Sequence, residues 1–216
     1  PIYAGCAFDG DADGCLAVDA SGAVVDGDHS RAILSVAARD AGRLVEDTVV
    51  ATVMSNLGFV QALSAENITV IQTAVGDRYV LEAMRTGGFN MGGEQSGHVI
   101  MGDFATTGDG VLTAVHLAAR IAEAGTPLAE LASLMTRLPQ VLINVPDVDK
   151  GRAETDATLQ GEIAIATARL GDTGRILLRQ SGTEPLVRVM VEAPTHEEAS
   201  EVAQHLAEVV RSTLAL

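Results

Sequence analysis

The chain has 216 residues, enough for one large domain or two small ones. With 47% hydrophobic and 20% charged residues it has the composition of a folded globular protein, which rules out wholesale disorder. Fourteen basic against 29 acidic residues leave a net charge of −15; with no Trp, two Tyr and four Phe, this argues against a nucleic-acid partner.

No apolar run approaches the roughly 20 residues that a membrane-spanning helix needs. The opening PIYAGCAFDG has neither the basic flank nor the long apolar stretch of a signal peptide. With Cys6 and Cys15 as the only cysteines, the expectation is a cytoplasmic chain with reduced thiols and no membrane partner.

In chain order, Ile2 to Phe8 reads as a short buried strand running into the loop DGDADG. The segment CLAVDASGAVVDGD then alternates apolar and polar residues around Ser21-Gly22, a hairpin signal. From His29 the spacing of Ala32, Ile33, Val36 and Ala37 predicts a helix that stops near Gly42. Strand, helix, strand and helix follow at Val49–Met54, Leu57–Ala65, Ile68–Thr73 and Arg78–Arg85, the last closed by Gly87-Gly88. A long Gly-rich loop, MGGEQSGHVIMGDFATTGDG, precedes a helix over Val111–Ala124. This alternation predicts an α/β layer with a mixed, largely parallel sheet.

A composition shift near Leu138–Gln140 marks a boundary. Beyond it, Val141–Val145 reads as a strand, Pro146–Asp156 as polar turns and Ile163–Leu170 as a helix. Arg175–Arg179 and Leu186–Glu192 read as strands, and a long amphipathic helix over Thr195–Leu214 opens on the capping-box pair Thr195 and Glu198. The pattern predicts a small α+β domain.

Three loops carry residues suited to chemistry. Asp9, Asp11 and Asp13 can converge on a turning loop, and hard carboxylate oxygens suit Mg²⁺ or Ca²⁺. DGDADG also matches the start of an EF-hand loop, although the twelfth position, where a bidentate Glu belongs, is Ala20; a plain acidic turn is the third reading. In Gly92-Gly93-Glu94-Gln95-Ser96-Gly97-His98, the glycines permit close backbone approach and Glu94 and Ser96 can hydrogen-bond vicinal sugar hydroxyls. His98 taken alone reads as a satisfied structural histidine. Arg179-Gln180-Ser181-Gly182-Thr183-Glu184-Pro185, with Arg188 downstream, is a strand ending in a hydroxyl-bearing turn flanked by guanidiniums. It is either an oxyanion cradle suited to phosphate or an ordinary hairpin with surface arginines.

Taken in order, these loops resemble the α-D-phosphohexomutase superfamily, most closely its bacterial phosphoglucosamine mutases. FDGDADG resembles that family's metal loop; TAVGDRYV, GGEQSGH and TTGDG resemble its third, sugar-recognising domain; LPQVLINV and GRILLRQSGTEPLVRVMVE resemble its fourth, phosphate-binding domain. The resemblance implies a remnant of the second domain over residues 1–26, a sugar-recognition α/β domain over 27–139 and an α+β phosphate-binding domain over 140–216. It implies Mg²⁺ on Asp9, Asp11 and Asp13, and a sugar phosphate contacted by Glu94, Ser96, His98 and Arg78. Arg179, Ser181, Gly182, Thr183 and Arg188 would hold the non-transferred phosphate. The implied reaction interconverts glucosamine 6-phosphate and glucosamine 1-phosphate by way of a bisphosphorylated sugar and a phosphoserine.

Three departures qualify that expectation. No Ser-His-Asn type loop for the phosphoserine occurs in the 216 residues, so the resemblance covers the C-terminal part of the family and these residues alone are not expected to turn over as a mutase. Gly14 stands where the family carries Arg after the Asp triplet, and Gln180 stands where it carries Pro. A sugar-phosphate binding module, a metal-dependent sugar phosphatase and a calcium-stabilised structural domain remain as alternatives. Severed from the rest of its sheet, the strand Ile2–Phe8 is expected to be an orphan with unpaired edges that pairs with another chain.

Overall fold

The computed structural model describes residues 4–182 and 184–216; Ile2 and Tyr3 of the expected first strand, and Thr183 of the expected cradle, lie outside them. The chain divides into two compact units, Pro1–Arg137 and Leu138–Leu216.

The first unit opens with β1 (Ala4–Phe8) and β2 (Cys15–Asp19), antiparallel from Ala4 opposite Asp19 to Phe8 opposite Cys15. β3 (Val24–Val25) adds to the other side of β2, across a turn held by the Asp19 carboxylate, which accepts the N–H groups of Ser21 and Ala23. The expectation of an orphan first strand is therefore corrected. The Asp loop folds the chain back on itself, so β1 is hydrogen-bonded along one edge, and only its other edge lacks a strand among the described residues.

Next comes α1 (Gly27–Asp40), capped by Asp26, whose side chain accepts the His29 N–H. β4 (Thr48–Thr52), α2 (Leu57–Ala65), β5 (Thr69–Thr73) and α3 (Asp77–Gly87) follow, then β6 (Met91–Gly93) and β7 (Val99–Met101), α4 (Gly110–Ala124) and α5 (Leu128–Ala132). The sheet runs β5-β4-β6-β7, with β4 parallel to both neighbours and β7 antiparallel to β6. Every residue of β4 is buried, as expected of a parallel strand covered on both faces. Val49 and Ala51 pack into the core with α1 and α2, while Val50 packs on the other side against Val80 and Met84 of α3.

The second unit holds β8 (Gln140–Pro146), α6 (Ala157–Leu170), β9 (Arg175–Gln180), β10 (Leu186–Glu192) and α7 (His196–Thr213). β10 is the centre of an antiparallel sheet in the order β8-β10-β9. Val187, Val189 and Val191 alternate along it into one core with Val145 and with Leu206 and Val210 of α7. Thr195 caps α7 by accepting the Glu198 N–H. The fold class is thus mixed α/β with a parallel-containing sheet, followed by an antiparallel α+β unit. No helix among the described residues is long and apolar enough to cross a membrane.

Four elements differ from the sequence reading. The Gly-rich loop contains β6 and β7, three-residue strands too short to show a period. α6 begins at Ala157 rather than Ile163, because Asp156 caps it and Gly161 merely interrupts its apolar spacing. The short α5 after Pro127 spans five residues, too few to show a helical period in the sequence.

Candidate functional site

The loop between β1 and β2 brings Asp9, Asp11 and Asp13 together, each offering one carboxylate oxygen within 4.8 Å of the others. A turn from Ala12 N–H to the Asp9 carbonyl (3.2 Å), with Ala12 at φ +58°, bends the chain so that the alternating carboxylates converge. The Gly14 N–H donates to Asp9 Oδ1 at 3.1 Å and holds that carboxyl below its usual range. Burial, and then the hydrogen bond shared with Asp9, push Asp13 the other way. Two neighbouring carboxyls whose titrations are driven in opposite directions mark a site where negative charge is crowded. Three hard oxygens on one turn fit a small divalent cation. Strands, not helices, flank the loop, so the EF-hand reading fails on architecture.

The rest of the unit is built against this loop. Gly110, the first residue of α4, donates its N–H to the Ala12 carbonyl at 2.9 Å, and a Cβ there would stand 2.4 Å from the Gly14 carbonyl oxygen, so only glycine permits the approach. Cys15 N–H donates to the Gly97 carbonyl (3.0 Å), and Gly14 bridges His98. His98 is buried, with Nδ1 3.2 Å from Asp13 Oδ2. The second loop is therefore coupled to the first by backbone and by imidazole.

Glu94 and Ser96 lie in the turn between β6 and β7, closed by Gly97 N–H to the Glu94 carbonyl (3.2 Å). Glu94 Oε1 accepts the Gly76 N–H at 3.0 Å. Both residues line a cavity of about 460 Å³ together with Thr52, Val75, Asp26 and Arg137. Gly27 at the head of α1 presses on this turn from below: its N–H donates to the Gln95 carbonyl, and a Cβ would lie 2.5 Å from Gly97 N. Arg78 and His98 do not line the cavity. Arg78 donates to the Tyr79 hydroxyl, with its guanidinium 4.4 Å from that ring's centre, while His98 faces the acidic loop.

In the second unit, Arg179 of β9 sits directly opposite Arg188 of β10. Like charges in register across a sheet repel. Four residue pairs along the same strands, Arg175 faces Glu192 and forms a 2.8 Å ion pair. Among the ion pairs of the described residues neither Arg179 nor Arg188 has an acidic partner, and Arg188 Nε is buried without one. β9 ends at Gln180, and the turn beyond it places Ser181 in a buried position, its Oγ accepting the Glu184 N–H at 3.2 Å and its N–H donating to the Leu186 carbonyl. Gly182 is exposed beside it.

Residues 26–138 match the family profile of the phosphoglucomutase/phosphomannomutase alpha/beta/alpha domain III, and residues 142–209 match that family's C-terminal domain. The chain belongs to the phosphoglucomutase/phosphomannomutase family. Curated relatives named phosphoglucosamine mutase include those of a Nocardioides species, 64% identical over 212 residues, and Cutibacterium acnes, 62% identical over 212. In both cases the match takes in 98% of this chain and 47% of the relative, so the chain spans about half the length of the relatives. Among solved structures, N-acetylphosphoglucosamine mutase of Aspergillus fumigatus shares the fold with a TM-score of 0.81 at 23% identity, over 98% of this chain and 48% of that one. The same fungal enzyme in complex with GlcNAc-6P and magnesium gives a TM-score of 0.79 at 24% identity.

Sequence reasoning missed three features of these sites. Asp26 and Arg137 stand 3.3 Å apart in the cavity wall; the aspartate is legible as a helix cap, whereas the arginine carries no sequence signal. Arg31 sits in the apolar run of α1, where a charge is out of place. Lys150 lies in what read as plain turns.

Proposed function

We propose that this chain carries the metal-binding, sugar-recognising and phosphate-binding parts of a phosphoglucosamine mutase. The reaction is Mg²⁺-dependent phosphoryl transfer between the two ends of glucosamine 6-phosphate and glucosamine 1-phosphate. The phosphoserine belongs to the half of the relatives' length that these residues do not span. The observation that carries the reading is the facing pair Arg179 and Arg188: two guanidiniums in register, with no acidic partner among the described residues of a chain of net charge −15, favour an anion between them.

In this reading Asp9, Asp11 and Asp13 hold Mg²⁺, which when bound neutralises charge on the phosphoryl group. His98 orients Asp13, Glu94 and Ser96 take sugar hydroxyls, and Arg78 flanks the turn at Gly76 that Glu94 closes. Arg179, Ser181, Gly182, Thr183 and Arg188 hold the phosphate that is not transferred. A sugar phosphate in the cytoplasm is the partner; nucleic acid and membrane are not.

A second reading, a paralog that binds or dephosphorylates a sugar phosphate, is favoured by one observation. A side chain at position 14 would begin 3.0 Å from Asp9 Oδ2, and glycine leaves that place beside the triplet without a cation. Calorimetric titration of glucosamine 6-phosphate into the chain, with and without Mg²⁺, run beside mutase and phosphate-release assays, separates the two. Saturable binding that Arg188→Met abolishes supports the phosphate cradle common to both readings, and mutase turnover when the phosphoserine part is supplied supports the first. Release of phosphate supports the second reading, and absence of binding overturns both.

A further inference from the structure

We propose that Lys150 is a positioning residue for the anion-binding turn, holding it in the conformation that receives phosphate; the inference rests on the phosphate-cradle reading above. Lys150 is the only lysine of the chain. It opens a short 3-10 turn, Lys150–Arg152, that follows β8 and is capped by the Asp149 side chain through the Gly151 N–H at 3.1 Å. Asp149 N–H donates to the Leu214 carbonyl (2.8 Å) and Val148 bridges Ala215, so the segment is anchored to the end of α7.

From that anchor the Lys150 ammonium donates to two backbone carbonyls of the turn, those of Ser181 and Glu184, the latter at 3.2 Å. Among the ion pairs of the described residues it meets no carboxylate. In an acidic chain this is an unusual use of a cation, and it has two consequences. A peptide unit is planar and trans, so drawing the Ser181 carbonyl toward Lys150 turns the Gly182 N–H of the same unit the opposite way, outward from the clamp. The ammonium also adds a third positive charge close to the end of β9, where Arg179 faces Arg188. Backbone donors aimed outward beside a concentration of positive charge are what an oxyanion needs. Ser181 Oγ, which accepts the Glu184 N–H, closes the same turn from inside.

The test uses the full chain and inorganic phosphate as the probe, with calorimetry for affinity and amide hydrogen exchange for the turn. Lys150→Met is expected to weaken phosphate binding about tenfold, the worth of one charge-assisted hydrogen bond, and to speed exchange at Ser181 and Glu184, whose N–H groups are bonded within the turn. Lys150→Arg, which keeps charge and donors, should restore both, and a uniform loss of folding stability would not produce that rescue. Lys150→Gln, with a neutral donor, should fall between them and stands in for Lys150→Met should that variant not fold. Arg179→Met should lose binding with exchange in the turn unchanged. Unaltered affinity in Lys150→Met, whether or not exchange changes, overturns the positioning role while leaving the cradle reading in place. Failure of the unsubstituted chain to bind phosphate overturns the cradle reading and the positioning role with it.

Discussion

Asp28 and Arg31 are both fully buried and joined to each other at the heart of the first unit. Arg31 also donates to the Gly93 carbonyl (2.6 Å) and Ser55 Oγ (2.7 Å), while Asp28 Oδ2 accepts the Asn56 N–H (2.8 Å). The pair thus ties α1 to the end of β6, immediately before Glu94. Removing one partner strands a buried charge, so Arg31→Met is expected to cost about 3–5 kcal/mol, read as a shift of the urea midpoint. The double variant Arg31→Met with Asp28→Asn should recover a large part of that loss; equal midpoints for the two variants would contradict the pairing. The cysteines offer a second check at this scale. Cys15 is buried and its thiol is pushed up to about 12 by burial and by neighbouring Cys6, whereas Cys6 is exposed. A thiol reagent at pH 8 should therefore modify Cys6 alone in the folded chain and both cysteines in urea. None of this was legible in sequence: a single Arg in the run SRAILSV carries no sign that it is buried rather than solvated.

Among elements, the hairpin β1–β2–β3 shows how far alternation can mislead. Cys15, Ala17 and Val25 face the core, but the opposite face carries Ala7, Leu16 and Val24, with Leu16 37% and Val24 62% exposed. A sheet apolar on both faces, with the outer edge of β1 unpaired among the described residues, invites a further strand. Self-association through this edge is accordingly expected, and Ala7→Lys, at an exposed position of β1 itself, should raise the concentration at which dimers appear in sedimentation velocity. A monomer at every concentration would refute it. The sequence predicted β1 and its loop well, because apolar runs and Asp/Gly turns are local signals. It misjudged the strand as an orphan, because pairing with β2 depends on how tightly the Asp loop closes, which is not a local property.

At the scale of the molecule, the two units have separate cores. Val49, Phe59, Leu63 and Leu117 belong to the first; Val145, Val189, Leu206 and Val210 belong to the second. Val189 is fully buried on the central strand, so Val189→Asp should abolish the thermal transition of the second unit along with phosphate binding. The first unit should keep its own transition and its protection of Cys15. Loss of both transitions together would show that the units fold as one.

The sequence by itself determined the family, the alternation of elements and the residue types that the three loops present. Those depend on residue type at short spacing: Asp at alternate positions, Gly and Ser in a turn, Arg flanking a hydroxyl. Only the tertiary structure decided what those loops are set against. It placed Arg179 opposite Arg188 and His98 beside Asp13, kept Arg78 and His98 out of the cavity that Glu94 and Ser96 line, and brought Lys150 to the carbonyls of a turn 31 residues further on. Such contacts follow from strand register and loop closure. These are set by the packing of the whole unit, so no window of sequence contains them.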